Sequence, residues 1–541
     1  MGDAENLTEM FLSFVNKARR FLGFEPFVEV PRKVVVGNVS SGGRWVGSEF
    51  RDDILVVSRD LLSEFALLKG ILARDAFRLF IPKELLNIEQ SADLAWEFAR
   101  LQLRGEDRRK WINFWQDYTE PLVIRPSMLY YPPICYVQAD KLSDGSFLSD
   151  IMVIFKELSK QGVILTSEEF ASLIVNRISF YSVTLTPRVA RVISILYENP
   201  DVSFKDLSRR LGVSIPYLSR LLSPFRKLGV FDVMVVPRFA ALNFETWFVY
   251  MLPGIERKRF IEEIRKFPFL FSLHRLITGD RYFMAVFVVP RNFEIQKWAK
   301  DYLDDLDLLD LRIFKRKSFC RSLNFNFYDF DEGRWRNFWD YWELWFTRLI
   351  EKEEYKAMLI KEAILPEGPP VYLDRKDIEI LKVIWDEKHT NRRKLQKVLR
   401  MNMNQLNKRI KRLIDHGVLT KHVFVSNIGL DGCILFYGET NPEEHKALIS
   451  GFKDLPRHDT SRVYSEESGE EGTLSFIFLP EHSLASFSQV FTKILDEWLG
   501  NEFFIHVRDL QPISVIWTFN PKYWNERRQN WDKAMVEDLD I

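Results

Sequence analysis

The sequence predicts an α+β multidomain protein: two winged helix-turn-helix domains, each followed by a ferredoxin-like βαββαβ domain, behind an N-terminal α+β domain. Three observations predict it. A long internal repeat runs through the later part of the chain. Each copy opens with three short, capped helices. Each then alternates strand-type and helix-type runs in one order.

The repeat needs no gaps. Residues 186–268 written above 374–456, a shift of 188, bring Leu207 onto Leu395, Leu211 onto Leu399, Leu218 onto Leu406, Gly229-Val230 onto Gly417-Val418, Phe248 onto Phe436 and Pro268 onto Pro456. Conservative pairs lie between them: Leu196 with Ile384, Tyr197 with Trp385, Leu222 with Ile410. Beyond Pro268 the second copy gains two residues, so Pro290 meets Pro480, and Trp335 later meets Trp524. A sustained run of core-type matches points to duplication rather than chance.

In the first copy Thr186-Pro187 opens a helix whose Val189, Val192, Ile193 and Leu196 share one face. Ser203 caps a second helix that carries Leu207 and ends near Leu211-Gly212. Ser214 caps a third, with Ile215, Leu218, Leu222 and Phe225 inward, and Gly229 ends it as a left-handed cap. Pro224 falls inside this helix and is expected to kink or shorten it. A strand pair is expected in the run that follows, Val230–Val236. Helix, helix, tight turn, helix and strand pair spell a winged helix-turn-helix.

The second copy repeats the plan, with Asp374, Thr390 and Asn402 as caps and Gly417 as the stop. Its third helix keeps Leu406, Ile410 and Leu413 inward. Asn404, Gln405, Lys408, Arg409 and Arg412 are left outward. That is a nucleic-acid reader's inventory, since amides match adenine edges and arginine matches guanine or phosphate. Arg409 and Arg412 are expected to hold phosphate, and Asn404 and Gln405 to touch bases. The full set of candidate contacts adds Arg392 and Arg393 in this copy and Arg209, Arg210, Tyr217 and Arg220 in the first. Charge concentrates here as well. Residues 184–240 hold nine basic and four acidic side chains, and 372–428 hold fourteen and six, in a chain whose 76 basic and 76 acidic residues cancel. A footprint on a polyanion needs only one positive face. The plainer alternative is that these faces are solvated or dock protein.

Each winged helix leads into strand, helix, strand, strand, helix, strand. In the first copy these are Thr246–Leu252, Ile255–Lys266, Leu273–Thr278, Tyr282–Val289, Phe293–Leu303 and Leu309–Lys315. The order is ferredoxin-like and leaves one sheet face open for pairing. Both halves resemble the leucine-responsive regulatory protein (feast/famine, Lrp/AsnC-like) family. The resemblance is carried by Leu207-Ser208-Arg209-Arg210-Leu211-Gly212-Val213-Ser214, Arg220, Leu222, Gly229-Val230-Phe231, and Thr278-Gly279-Asp280 before an apolar strand ending at Pro290. It implies a DNA-reading domain joined to an effector and assembly domain. It also implies that the fused copies pair within the chain as family dimers do and read an asymmetric site. A small-molecule effector is doubtful. Arg281 and Tyr282 follow Asp280 where the family carries a second acidic residue, and the second copy has Glu466-Glu467-Ser468-Gly469-Glu470-Glu471-Gly472 there.

Residues 1–125 read as the separate N-terminal domain: a helix, strand-like runs at Phe27–Glu29, Lys33–Val39 and Arg44–Val46, then helices from Ile54 to Leu103. Leu72–Phe80 falls where a zinc protease carries its His-Glu-x-x-His helix. Both histidines are missing, so an ordinary amphipathic helix is the simpler reading. Residues 126–183 read as a linker with helices. The repeats then divide into winged helix 184–241, ferredoxin-like domain 242–330, aromatic helix and linker 331–371, winged helix 372–430 and ferredoxin-like domain 431–519. Residues 520–541 read as a C-terminal aromatic helix and acidic tail. Trp335, Trp339, Trp342 and Trp345 form one stripe, read as a buried docking face in preference to a base-stacking platform.

Hydrophobic residues at 46% and charged residues at 28% allow packed cores. Cys135, Cys320 and Cys433 are too scattered for a disulfide framework or a zinc set. No phosphate loop, dinucleotide glycine motif or nucleophile elbow occurs, so no enzyme activity, cofactor or metal is expected. No run reaches membrane-span length, which predicts a cytoplasmic protein without a membrane partner. The functional expectation is a sequence-specific DNA-binding transcriptional regulator of archaeal style, acting as an intrachain pseudo-dimer of the two repeats. A homodimer through the ferredoxin-like sheets is a further expectation. Two alternatives stand beside it: a translation factor bound to ribosomal or other RNA, and a protein-interaction scaffold.

Overall fold

The computed structural model describes residues 2–39, 47–81, 89–118, 141–161, 173, 177–178, 181–267, 269–278, 282–291, 293–295, 297, 306–387, 392–465, 468–500, 502–508 and 519–532. Contacts divide the described chain into two compact units, the first holding the residues up to Tyr181 together with Lys227–Gly229, the second Ser182–Arg226 and the residues from Val230 onward.

In the first unit a helix at Gly2–Leu22 precedes β1 (Lys33–Gly37), β2 (Ser48–Arg51) and β3 (Ile54–Ser58). Their order is β1-β3-β2, with β1 parallel and β2 antiparallel to β3. A strand at Ile54 corrects the expected helix. Asp52 turns the chain at φ 48°, and the buried run Leu55-Val56-Val57 suits a pleated surface. Phe27–Glu29 is irregular, and Arg44–Val46 lies outside the described residues. Helices Phe65–Arg78, Glu89–Gln102, Gly105–Tyr118 and Phe147–Lys160 complete the unit around Phe11, Phe77, Phe98 and Trp111. On Phe65–Arg78 the buried Arg74 donates to Asp75 (Nε–Oδ1 2.9 Å) and to Ser48 (2.6 Å), and it lies over the Trp96 ring. This helix is a packing element, buried on consecutive residues from Gly70 to Phe77 rather than along one face as an amphipathic helix would be.

In the second unit, helices Pro187–Glu198, Phe204–Leu211 and Ile215–Lys227 lead to β4 (Phe231–Pro237). Then come β5 (Phe244–Pro253), helix Arg257–Ile264, β6 (Leu270–Arg275), β7 (Phe283–Pro290) and β8 (Leu308–Leu323). The hairpin of β9 (Tyr328–Asp329) and β10 (Arg334–Trp335), helix Trp339–Glu351 and β11 (Ala363–Ile364) follow. The second copy has helices Arg375–Glu387, Arg392–Leu399 and Met403–Asp415, then β12 (Leu419–Val425), β13 (Gly432–Glu439), helix Pro442–Phe452, β14 (Arg457–Ser465), β15 (Glu471–Leu479), helix Leu484–Trp498 and β16 (Phe503–Val507). A hairpin of β17 (Trp524–Asn525) and β18 (Asn530–Trp531) ends the described chain. The helix expected at Phe293–Leu303 falls largely outside the described residues.

The strand after each helix-turn-helix departs from expectation. Among the described residues neither β4 nor β12 pairs with a strand of its own copy; β4 pairs antiparallel with β12, from Phe231↔Val425 to Pro237↔Leu419. A lone seven-residue strand leaves a row of unpaired amides, and the other copy offers the matching edge. Met234 faces His422, its own counterpart at the shift of 188, so this ribbon is centred on a two-fold relation between the copies.

Both sheets obey the same rule of order: β8-β5-β7-β6 in one copy and β16-β13-β15-β14 in the other. They join where β8 pairs with β14, from Arg457↔Leu323 to Ser465↔Phe314. At the far ends Leu276 bridges Arg508, and the Ile277 amide donates to the Val507 carbonyl at 2.7 Å, so the strand path closes on itself. Strand β8 runs eight residues past the expected Lys315. Ser318, Cys320 and Ser322 are buried there, and their small polar side chains erase the apolar alternation that marks a strand. The sheet face on which the expected homodimer relied is covered within the chain. Phe248 meets Phe476, Phe314 meets Tyr437 and Tyr250 stacks on Phe504.

The tryptophan stripe is a docking face. Trp339 and Trp342 are buried against Phe487, and Trp342 donates to the Gly451 carbonyl at 3.1 Å. Trp335 sits in the β9–β10 hairpin instead of on the helix, donating to Ile428. The C-terminal aromatic helix is likewise corrected to the β17–β18 hairpin where the chain is described. Gln529 turns it at φ 50°, and Trp524 and Trp531 donate to the Leu373 and Leu242 carbonyls. The expected acidic tail, 533–541, lies outside the described residues.

Candidate nucleic-acid interface

A reader helix has to be held at a fixed tilt before its outer face can meet a groove. In the first copy the caps fall where the sequence puts them. Thr186 accepts from the Val189 amide (3.4 Å), Ser203 from Asp206 (3.1 Å) and Ser214 from Tyr217 (3.3 Å). Gly212 (φ 65°) and Gly229 (φ 72°) supply the left-handed stops. Leu207, Leu218 and Leu222 close the core. The third helix runs on through Pro224 and has the same 13 residues as Met403–Asp415, so the expected shortening is absent. Pro224 and Arg220 are both exposed, and water can satisfy the Arg220 carbonyl that the proline leaves without a donor. Arg209, Arg210 and Arg220 are exposed, with Arg209 making a surface pair to Asp206 at 3.4 Å. Tyr217 is half-buried and its hydroxyl accepts from Arg188 at 3.1 Å.

In the second copy Asn402 caps the third helix, accepting from the Asn404 amide at 2.8 Å, while Thr390 lies outside the described residues. Asn404, Gln405 and Lys408 are exposed, as is Arg393. Arg392 is half-buried, and burial lowers its pKa. Arg409 and Arg412 turn inward. Arg409 Nη1 donates to Asp374 and Asp377, both at 2.8 Å, and Arg412 donates to the fully buried Asp377. Burial alone would lower the Arg409 pKa; the hydrogen bonds it donates to Asp377 and Asp374 outweigh it and raise it. Burial alone would raise Asp374, yet the Asp377 amide and Arg409 hold its carboxyl below the usual range. The two arginines read as phosphate ligands therefore tie the third helix to the first. Asp377 was not singled out, although a signal existed. It occupies the position of the core residue Val189, opposite two cations one helical turn apart.

Each helix-turn-helix rests on the other copy's sheet. The buried Tyr197 hydroxyl accepts from Arg457 Nε at 2.9 Å and donates to Asp459 at 3.2 Å, and the Arg321 guanidinium lies 4.6 Å from its ring centre. Burial pushes this phenol up to about 12. Its counterpart Trp385 packs edge-on to Phe239, with ring centres 4.9 Å apart, and near Phe271. The loop expected to decide on an effector, Gly279-Asp280-Arg281, lies outside the described residues, as do Glu466 and Glu467. Among the described residues no cluster of three or more metal-ligating side chains forms, and no helix is long and apolar enough to cross a membrane.

A family model described as winged helix-turn-helix DNA-binding matches residues 189–231, which span the three helices of the first copy and the start of β4. The chain thus contains a helix-turn-helix of the DNA-binding type within a mixed α/β multidomain protein. No curated protein matches the chain. Among solved structures, the siroheme decarboxylase NirDL aligns at 14% identity over 65% of this chain and 100% of its own, with a TM-score of 0.35. An AsnC family transcriptional regulator from Agrobacterium tumefaciens aligns at 22% identity over 24% of this chain and 88% of its own, with a TM-score of 0.19. A transcriptional regulator from Neisseria meningitidis, solved with L-Met, aligns at 18% over 24% and 88%, with a TM-score of 0.20. Likenesses at such scores carry no weight for the chemistry of this chain.

Proposed function

We propose that the chain is a sequence-specific DNA-binding transcriptional regulator acting as an intrachain pseudo-dimer. Its readers are 184–241 and 372–430, and its ferredoxin-like domains are 242–330 and 431–519. The observation that supports this reading best is the β4–β12 ribbon, in which Met234 lies opposite its own counterpart His422. Two-fold arranged readers suit the two-fold geometry of duplex DNA. The exposed contacts are Asn404, Gln405, Lys408 and Arg393 in the second reader and Arg209, Arg210 and Arg220 in the first. The activity is binding rather than catalysis, needs no cofactor or membrane, and belongs in the cytoplasm.

The test is crosslinking and sequencing of nucleic acid bound by the full chain in cells, beside an Asn404→Ala/Gln405→Ala/Lys408→Ala variant. Arg409 and Arg412 are left intact because removing them would unbrace the domain. Discrete duplex sites near gene starts, lost in the variant, are the expected result. Ribosomal or other RNA as the dominant partner, or no nucleic acid at all, would overturn the reading. In vitro, Lys408→Ala should lower the slope of log affinity against log salt by about one unit.

A further inference from the structure

The two reader faces differ in kind. At matching positions along the third helix the second copy presents Asn404, Gln405, Asn407 and Lys408, where the first has Pro216, Tyr217, Ser219 and Arg220. All four in the second copy are exposed. They lie in the N-terminal half of the helix, the part of a reader that faces base edges. Three are amides, the side chains that pair bidentately with adenine N6 and N7. The first copy offers no amide there. Proline brings no donor, and Tyr217 is half-buried with its hydroxyl engaged by Arg188. Of the three polar side chains there, only Ser219 and Arg220 are exposed. Arg220 stands where the second copy has Lys408, a residue that binds as a point charge. The shared property is therefore positive charge, which suits a phosphate.

We infer that the readers divide the work unequally: the second selects an adenine-containing half-site through Asn404, Gln405 and Asn407, while the first grips the neighbouring backbone without regard to sequence. This rests on the DNA-binding reading and adds that the preferred site is a one-sided motif. Both helices keep their length, and Leu218, Leu222, Leu406, Ile410 and Leu413 are fully buried in the same pattern. The asymmetry therefore lies in the outer faces rather than in a damaged first domain.

The experiment is selection of the full-length chain on a random duplex pool at one fixed salt concentration, followed by titration of the winning and scrambled duplexes. Wild type should enrich one block of fixed positions that contains adenine. Asn404→Ala/Gln405→Ala/Asn407→Ala should erase that block, with a loss of roughly five- to 150-fold in discrimination for each base contact removed. Its affinity for scrambled duplex should stay unchanged. Arg220→Ala should weaken winning and scrambled duplexes equally, lower the salt slope by about one unit and leave the motif in place. All four substituted residues are exposed, and an unaltered melting profile confirms that each variant is folded. Two blocks of equal information related by symmetry, a motif that survives the amide variant, or a fixed guanine lost on Arg220→Ala would overturn the inference while leaving DNA binding intact. Failure of the wild type to retain any duplex would overturn the DNA-binding reading itself, and this inference with it.

Discussion

At three matching positions the first copy has an apolar side chain where the second has an ionisable one. Val189 and Leu221 stand where the second copy has Asp377 and Arg409, and Leu270 stands where it has His458. At the joint between reader and sheet the roles reverse, with Tyr197 among Arg457, Asp459 and Arg321 answering Trp385 between Phe239 and Phe271. The backbone arrangement is the same in both. Helix tilt and sheet order thus depend on filling volume and satisfying polar groups, and either chemistry does so. What the chemistry changes is the response to pH and salt.

The largest difference should appear in acid. Burial pushes His458 down to about 4, whereas an unfolded histidine titrates near 6.5. Between these values the unfolded chain binds the proton and the native chain does not, so stability rises with pH. The contribution is complete above about pH 6.5 and lost as pH falls toward 4, with an amplitude of about 3 kcal/mol. His458→Leu, which copies the first repeat, should flatten that slope in denaturant titrations across pH 4–7. His274, buried beside Arg508 and also pushed down, keeps part of it. An unchanged slope would mean that His458 does not couple protonation to folding.

Asp377→Val should come next. It strips the buried carboxylate from Arg409 and Arg412, and because both arginines can reach solvent the expected loss is roughly 2 kcal/mol. Adding Arg409→Leu should recover most of it, since that pair restores the residue types of the first copy, Val189 and Leu221, at both positions. If the double variant is no better than the single one, the two braces are not interchangeable. Tyr197→Phe keeps the ring but deprives Arg457 Nε of its acceptor, for a loss of about 1–2 kcal/mol in chemical denaturation.

Much of this architecture was legible because it repeats. Cap residues such as Thr186, Ser203, Ser214 and Asn402, and the glycine stops Gly229 and Gly417, act through neighbours in sequence, so a linear reading finds them. The pairing of β4 with β12 was not legible, because a strand's sequence does not say which edge it will meet. The inward turn of Arg409 and Arg412 was missed for a related reason. A basic residue on a helix is assigned to solvent or phosphate unless its buried acid is known, and Asp377 lies 32 and 35 residues away. The outward set Asn404, Gln405 and Lys408 needed only helical spacing.

The ribbon has a consequence for how the chain is made. Strand β4 leaves the ribosome 188 residues before β12, and β8 precedes its partner β14 by well over a hundred. At about 5–20 residues per second, Met234 waits roughly ten to forty seconds for His422. During that interval the first copy exposes two strand edges matched to a second copy, and a neighbouring nascent chain on the same message carries the same sequence. Correct assembly is therefore a race between the chain's own later half and its neighbour's, one that slower translation between Pro237 and Leu419 would tilt toward interlocked dimers.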